Sequence, residues 1–292
     1  AIWTRQRGET QYSLRALPIG GYCAMEGEDE DTGDERSLTR QGFWKQLIIF
    51  AAGALMNFLT GVVILLALYA NVTAVNTDQI VGLAPELAQQ ETGLQEGDLI
   101  YKVDGYRTYL AGDAALFLQY ADDTVDVEVI RDGEHVLIED LRRQTYTAAD
   151  GSSYVGFGLT VGAYAHEATL PVKLQYTWYT ALDFVQLVWF SLAQLVTGGA
   201  TMQDLSGPVG IVSTITDVGE QAESASAAVE NIAYLAALLA VNLAVMNLLP
   251  IPALDGGRIF FLLVDAVCLL LFKRKIPERY TAAVNTAGFV VL

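Results

Sequence analysis

Apolar residues come in three long blocks along this chain and in short alternating runs between them. Residues 47–70 contain no charged side chain and are long enough to cross about 30 Å of hydrocarbon as a helix. A second apolar stretch covers 232–272, and 282–292 opens a third that is too short to span by itself. Pro250 and Pro252 interrupt the second stretch. Each removes a backbone donor and resists helix, so a break is predicted between Leu249 and Ala253. Broken backbone at membrane depth is tolerated only where protein or a water-filled cavity surrounds it. Asp255 follows the break directly, and a carboxylate at that depth needs a metal, a cation or water beside it. Two readings of Asp255 stand on these grounds: a functional group, or the N-cap of a helix predicted over 256–272.

Between the blocks the period changes. Residues 125–130 and 135–138 alternate around Asp132-Gly133, which predicts a tight β-hairpin, and 113–120 fit a short helix. Residues 170–196 are apolar at helical spacing but interleaved with Trp178, Trp189, Tyr and Gln, so they predict an amphipathic helix lying on the membrane surface and broken at Gly198-Gly199. Near the start, 11–16 alternate, 18–22 carry turn residues and 23–27 return, which predicts a second hairpin in which Gly20 and Gly21 permit close backbone approach.

Composition agrees with a membrane protein carrying an aqueous insert: 52% of residues are hydrophobic and 17% charged, and mean hydropathy is +0.33. A net charge of -17 argues against binding nucleic acid. Much of it is local, in an acidic run over 26–35 that reads as a solvated loop. Arg36, Arg40 and Lys45 precede the first span, and Lys273, Arg274, Lys275 and Arg279 follow the second, while 71–90 and 199–230 hold no Lys or Arg. That asymmetry predicts a cytoplasmic hairpin and C-terminal region, with the middle of the chain outside. Cys23 and Cys268 are then free thiols. Ser206 has neither a G-x-S-x-G frame nor a histidine placed to activate it, and reads as part of a turn.

Four motifs resemble one family in the order that family has them. Residues 247–258, N-L-L-P-I-P-A-L-D-G-G-R, resemble the N-x-x-P-x-P-x-L-D-G-G signature of the site-2 proteases, which are intramembrane zinc metalloproteases. Residues 8–22 resemble the hairpin that follows the zinc-binding helix in bacterial members, and 205–211 the S-G-P-x-G-I element. Residues 93–105, G-L-Q-E-G-D-L-I-Y-K-V-D-G, resemble the core of a bacterial PDZ domain. Within that family the motifs resemble the bacterial regulator-of-sigma-E protease type with a single PDZ domain.

The resemblance implies a polytopic α-helical membrane protein with a membrane-associated β-hairpin and an inserted extracytoplasmic PDZ (α+β) domain. Its expected parts are the hairpin and acidic loop (1–42), a membrane helix (43–72), the PDZ domain (79–165), an interfacial helix (168–198), the Ser-Gly-Pro turn region (199–230), the broken membrane segment (231–272) and the start of a last membrane helix (282–292). It makes Asp255 the third zinc ligand and Asn242, Asn247, Gly20 and Gly21 substrate-binding. Packing between helices remains the other reading of the two Asn, and bracing of the membrane core that of the hairpin. The implied partners are the lipid bilayer of a bacterial inner or plasma membrane and transmembrane substrates such as anti-sigma factors or signal-peptide remnants. The PDZ domain would either bind extended chains by strand addition or act as a steric plug.

One departure matters. The two histidines, His135 and His166, do not form H-E-x-x-H, the helical pattern that supplies two zinc ligands and a general-base Glu. The expectation is that such a helix lies upstream of Ala1 and that these 292 residues by themselves would be inactive. The alternative is a non-catalytic PDZ-bearing membrane scaffold of the same fold. Ala54 also replaces a Pro usual in relatives, which bears on helix kinking. A transporter is disfavoured because no second interrupted helix is visible.

Overall fold

The computed structural model describes residues 2–16, 23, 25–27, 34–85, 93–147, 153–198, 222, 224–252 and 254–273. At the start, β1 (Trp3–Arg7) pairs antiparallel with β2 (Thr10–Leu14), Trp3 opposite Leu14 and Arg7 opposite Thr10. The strand expected at 11–16 is present as β2, which pairs with the residues before it through a turn at Gly8-Glu9, where Gly8 has φ +64° and takes the left-handed conformation that L side chains resist. Gly20, Gly21 and the turn expected at 18–22 lie outside the described residues. Arg36 ties the hairpin to the approach of the first helix through Glu9 (Nη1 to Oε1, 2.7 Å), an exposed pair of small energetic value.

Helix α1 (Phe43–Ala70) contains the predicted charge-free run and starts slightly before it. Ile48, Leu55, Met56 and Val63 on it are exposed, a pattern suited to hydrocarbon. The chain then enters a sheet domain. Its strands are β3 (Ala74–Leu83), β4 (Leu99–Val103) and β5 (Tyr106–Arg107), then, after helix α2 (Asp113–Tyr120), β6 (Thr124–Arg131) and β7 (Glu134–Arg142). A separate pair, β8 (Gln144–Thr147) and β9 (Ser153–Gly156), precedes β10 (Leu159–Glu167). The antiparallel order is β10-β3-β4-β6-β7, with β5 on β4, which leaves β10 and β7 at the edges.

The predicted hairpin is β6–β7, and its turn residues Asp132 and Gly133 both have positive φ, as a two-residue turn of matching twist needs. Val125, Val127 and Val129 point alternately into the core with Ile80, Val103 and Phe117. Arg131 clamps the buried Asp98 through Nε and Nη2 (2.7 and 2.6 Å), a bidentate geometry. Asp78 accepts the Gly112 and Ala114 N–H groups, and Asp113 accepts those of Tyr109 and Leu110. Burial nevertheless pushes both carboxyls up, Asp113 to about 6.

Helix α3 (Leu170–Thr197) packs in two directions and ends at Gly198, φ +84°. Towards the insert, Gln186 exchanges hydrogen bonds with the Arg107 backbone (3.2 and 2.7 Å), and the Phe190 ring meets Tyr106, Phe117 and Tyr120. Towards the membrane helices, Ala181, Phe184 and Val188 join Leu65, Ala237 and Val241, and Thr180 bonds the Tyr69 hydroxyl (2.9 Å). Helix α4 (Ala225–Leu248) starts earlier than the apolar pattern suggests because Ser224 caps it, its Oγ accepting from Ala227 N–H (3.1 Å). Against α1 it packs so closely at Gly61 that a Cβ there would lie 2.7 Å from Val241 Cγ2. Helix α5 (Asp255–Phe272) follows the break.

Among the described residues α1, α3 and α4 are long and apolar enough to cross a membrane. By length and composition α3, expected on the surface, is thus a third span-capable helix.

Candidate metal centre

The site is built by the break between α4 and α5. Leu249 leaves the helix in extended conformation (φ -62°, ψ 141°), as a residue before Pro must. Three backbone bonds brace the described part of the loop: Leu249 N–H donates to Met246 O (3.1 Å), Ile251 N–H to Leu249 O (2.7 Å) and Leu254 N–H to Ile251 O (3.2 Å). Such bonds help irregular chain persist in apolar surroundings. Leu254 takes the N-cap position and Asp255 is the first helical residue. The N-cap reading of Asp255 is therefore corrected by one position: the carboxylate sits in the first turn, where the positive end of the helix dipole favours it.

Two glycines fix that turn from behind. Gly256 and Gly257 are buried, and a Cβ on Gly256 would run into the Leu248 and Leu249 carbonyls, one on Gly257 into Ile251 O. In front stands α1. A Cβ on Gly53 would meet Asp255 Oδ2 at 3.6 Å, so the carboxylate faces this turn of α1 across a gap kept by the missing side chain. One turn further along α5, the Arg258 guanidinium lies over the Phe50 ring, 5.9 Å from its centre.

The other predicted residues fall in different places. Asn247 and Asn242 are half-buried on α4, Asn247 at its last turn beside the break and Asn242 next to the α1-facing Val241. His135 and His166 belong to the insert: His135 Nδ1 bonds Glu128 Oε1 (2.6 Å) and His166 Nε2 bonds Thr77 Oγ1 (2.9 Å). A carboxylate at a helix start, facing a glycine, suits one oxygen ligand of a metal. Among the described residues no group of three or more His, Cys, Asp or Glu could hold an ion, so Asp255 fits as a single donor and not as a whole site.

Sequence reasoning missed Gly53 and Arg258. Arg258 was findable, because residues three apart share a helix face and a cation at membrane depth calls for an explanation as much as a carboxylate does. Gly53 was not, since only packing brings it to Asp255. Asp183 was also overlooked; it is buried on α3, and its Oδ1 has no partner among the described residues.

Helices able to span a bilayer, a sheet domain inserted between them and a carboxylate at a broken helix define a membrane protein with a polar site in its apolar part. The chain belongs to peptidase family M50, whose sequence profile matches residues 1–292. It is similar to a zinc metalloprotease predicted in Clostridium perfringens, 32% identical over 98% of this chain and 81% of that protein. The zinc metalloprotease RasP of Shouchella clausii is 33% identical, covering 100% of this chain and 86% of RasP. A zinc metalloprotease predicted in Campylobacter jejuni is 27% identical over 97% of this chain and 76% of its own length.

Proposed function

We propose that this chain forms the body of a zinc metalloprotease that cuts membrane-spanning proteins within the bilayer, with Asp255 as a ligand of the metal. The observation that carries this reading is the Asp255 carboxylate, held in the first turn of α5 directly after the Pro-x-Pro break and against Gly53 of α1. Zinc follows from the names of relatives that share nearly the whole chain and from the donor, since carboxylate oxygen is an ordinary zinc ligand. Bound zinc supplies a Lewis acid that polarises a carbonyl and makes water easier to deprotonate. An H-E-x-x-H helix would supply two further ligands and a general-base Glu; His135 and His166 do not form that pattern.

The chain's own residues position and receive. Gly256 and Gly257 hold the Asp255 turn, and Asn247 and Asn242 offer amides to a substrate backbone that has unwound. Gly20 and Gly21 act in the same sense, by letting substrate approach the chain closely. A helical substrate hides its amides until it opens, so polar groups at depth replace the hydrogen bonds it gives up. The substrates are transmembrane segments already trimmed outside the membrane, such as anti-sigma factors and signal-peptide remnants, cleaved in regulated intramembrane proteolysis.

The insert is a permuted PDZ domain over 79–165 on the outer face of a bacterial inner or plasma membrane. Supporting this are the G-L-x-x-G-D run leading into β4, the edge position of β10 and the basic residues flanking α1 and α5. Helix α3 lies along the membrane surface beneath it, a reading supported by its contacts with the insert from Gln186 to Phe190.

The test uses the full-length protein in membranes. Asp255→Asn should abolish cleavage of a membrane-inserted substrate and lower zinc content while expression holds, because a neutral amide is a poor zinc ligand. Undiminished proteolysis by that variant would overturn the assignment.

A further inference from the structure

A permanently charged guanidinium one helical turn from a metal ligand poses a problem that the proposed function leaves open. Arg258 cannot shed its proton, and at the fourth position of α5 it sits near the positive end of the helix dipole, where a cation is disfavoured. It also lies on the same face as Asp255, since residues three apart are neighbours on a helix. Its guanidinium lies over the Phe50 ring of α1, at 5.9 Å from the ring centre. Phe50 and Gly53 are likewise three apart on α1. Two matched pairs therefore face each other across the α1–α5 contact, Asp255 opposite Gly53 and Arg258 opposite Phe50.

We infer that Arg258 is a positioning residue for Asp255: seated on Phe50, it holds the first turn of α5 to the Phe50–Gly53 turn of α1. The glycine contacts hold the turn against the α4–α5 break, and Arg258 adds the restraint towards α1. The ring face attracts the cation through its quadrupole, more strongly where water is excluded. Gly53 lets the two helices meet at the carboxylate without a side chain between them. The inference rests on Asp255 being the ligand and adds the residues that set where it stands.

The test is zinc release from the full-length protein in detergent, followed with a chromogenic chelator. Arg258→Leu and Phe50→Leu should each speed release roughly tenfold, the scale on which supports of metal ligands act. Arg258→Lys and Phe50→Tyr, which keep a cation and a ring, should stay near the parent rate. The double Leu variant should be little faster than either single one, because both remove the same contact. Thermal midpoints of the single variants should move little, which separates positioning from general loosening. Should Arg258→Leu not fold, Phe50→Leu alone carries the test, since it removes the ring and keeps an apolar side chain. Unchanged release in Phe50→Leu, or Leu effects that multiply in the double variant, would overturn the inference while Asp255→Asn still lost its zinc. Full zinc in Asp255→Asn would instead overturn the ligand assignment.

Discussion

Asp113 shows at residue scale how burial and hydrogen bonding oppose each other. Two N–H donors favour its charged form, yet burial wins and pushes its carboxyl from 3.8 to about 6. A carboxyl raised in the folded state supports folding fully below its unfolded value, near 4, and loses that support as pH rises through 6. Relative to Asp113→Asn, the wild-type insert should thus lose up to about 3 kcal/mol between pH 4 and pH 6 and stay level above. Thermal melts of both proteins across that range give the difference. A wild-type stability that rises, or does not change, relative to the Asn variant as pH goes from 4 to 6 would contradict it. The Asn variant is needed as the reference because Asp78, which burial also pushes up, titrates in both proteins. Asp255 itself was legible from the sequence because a carboxylate after a Pro-x-Pro break has few ordinary explanations; its place inside the helix and not at the cap needed the backbone.

At the scale of elements, what the sequence reveals depends on how local the cause is. Helix 113–120 and the Asp132-Gly133 turn follow from neighbouring residues, and both stand where the pattern puts them. The turn at Gly8-Glu9, closed by a glycine with positive φ, and the pairing of β2 with β1 were not read from the sequence. The start of α4 was missed because 225–231 are small and polar, so the helix there begins on a serine cap and not on apolar periodicity. Helix pairing is less local still. The α1–α4 contact relies on Gly61, where a Cβ would also stand 3.1 Å from the Ala237 carbonyl, in the manner of small residues between membrane helices. Gly61→Leu should force these helices apart and cost about 1–3 kcal/mol. A lower thermal midpoint in detergent is the expected sign, and an unchanged one would mean that the helices do not pack as described.

For the whole molecule, the sequence conveyed the parts and the structure their arrangement. Motifs spread along the chain announced the family, but nothing in them says that Gly53 of α1 would face Asp255, or that α3 would bind the insert on one side and the membrane helices on the other. Such contacts are set by packing between elements far apart in the chain, which local patterns do not encode. The result is an insert anchored through α3, and a carboxylate fixed between α1 and the α4–α5 break. The central claim is that position 255 touches zinc. X-ray absorption at the zinc edge tests it most directly, on full-length Asp255→Cys compared with the parent protein. A thiolate at that position should add a sulfur neighbour at about 2.3 Å, absent from the parent. A zinc-replete variant whose spectrum shows the parent's nitrogen and oxygen neighbours and no sulfur would contradict the account.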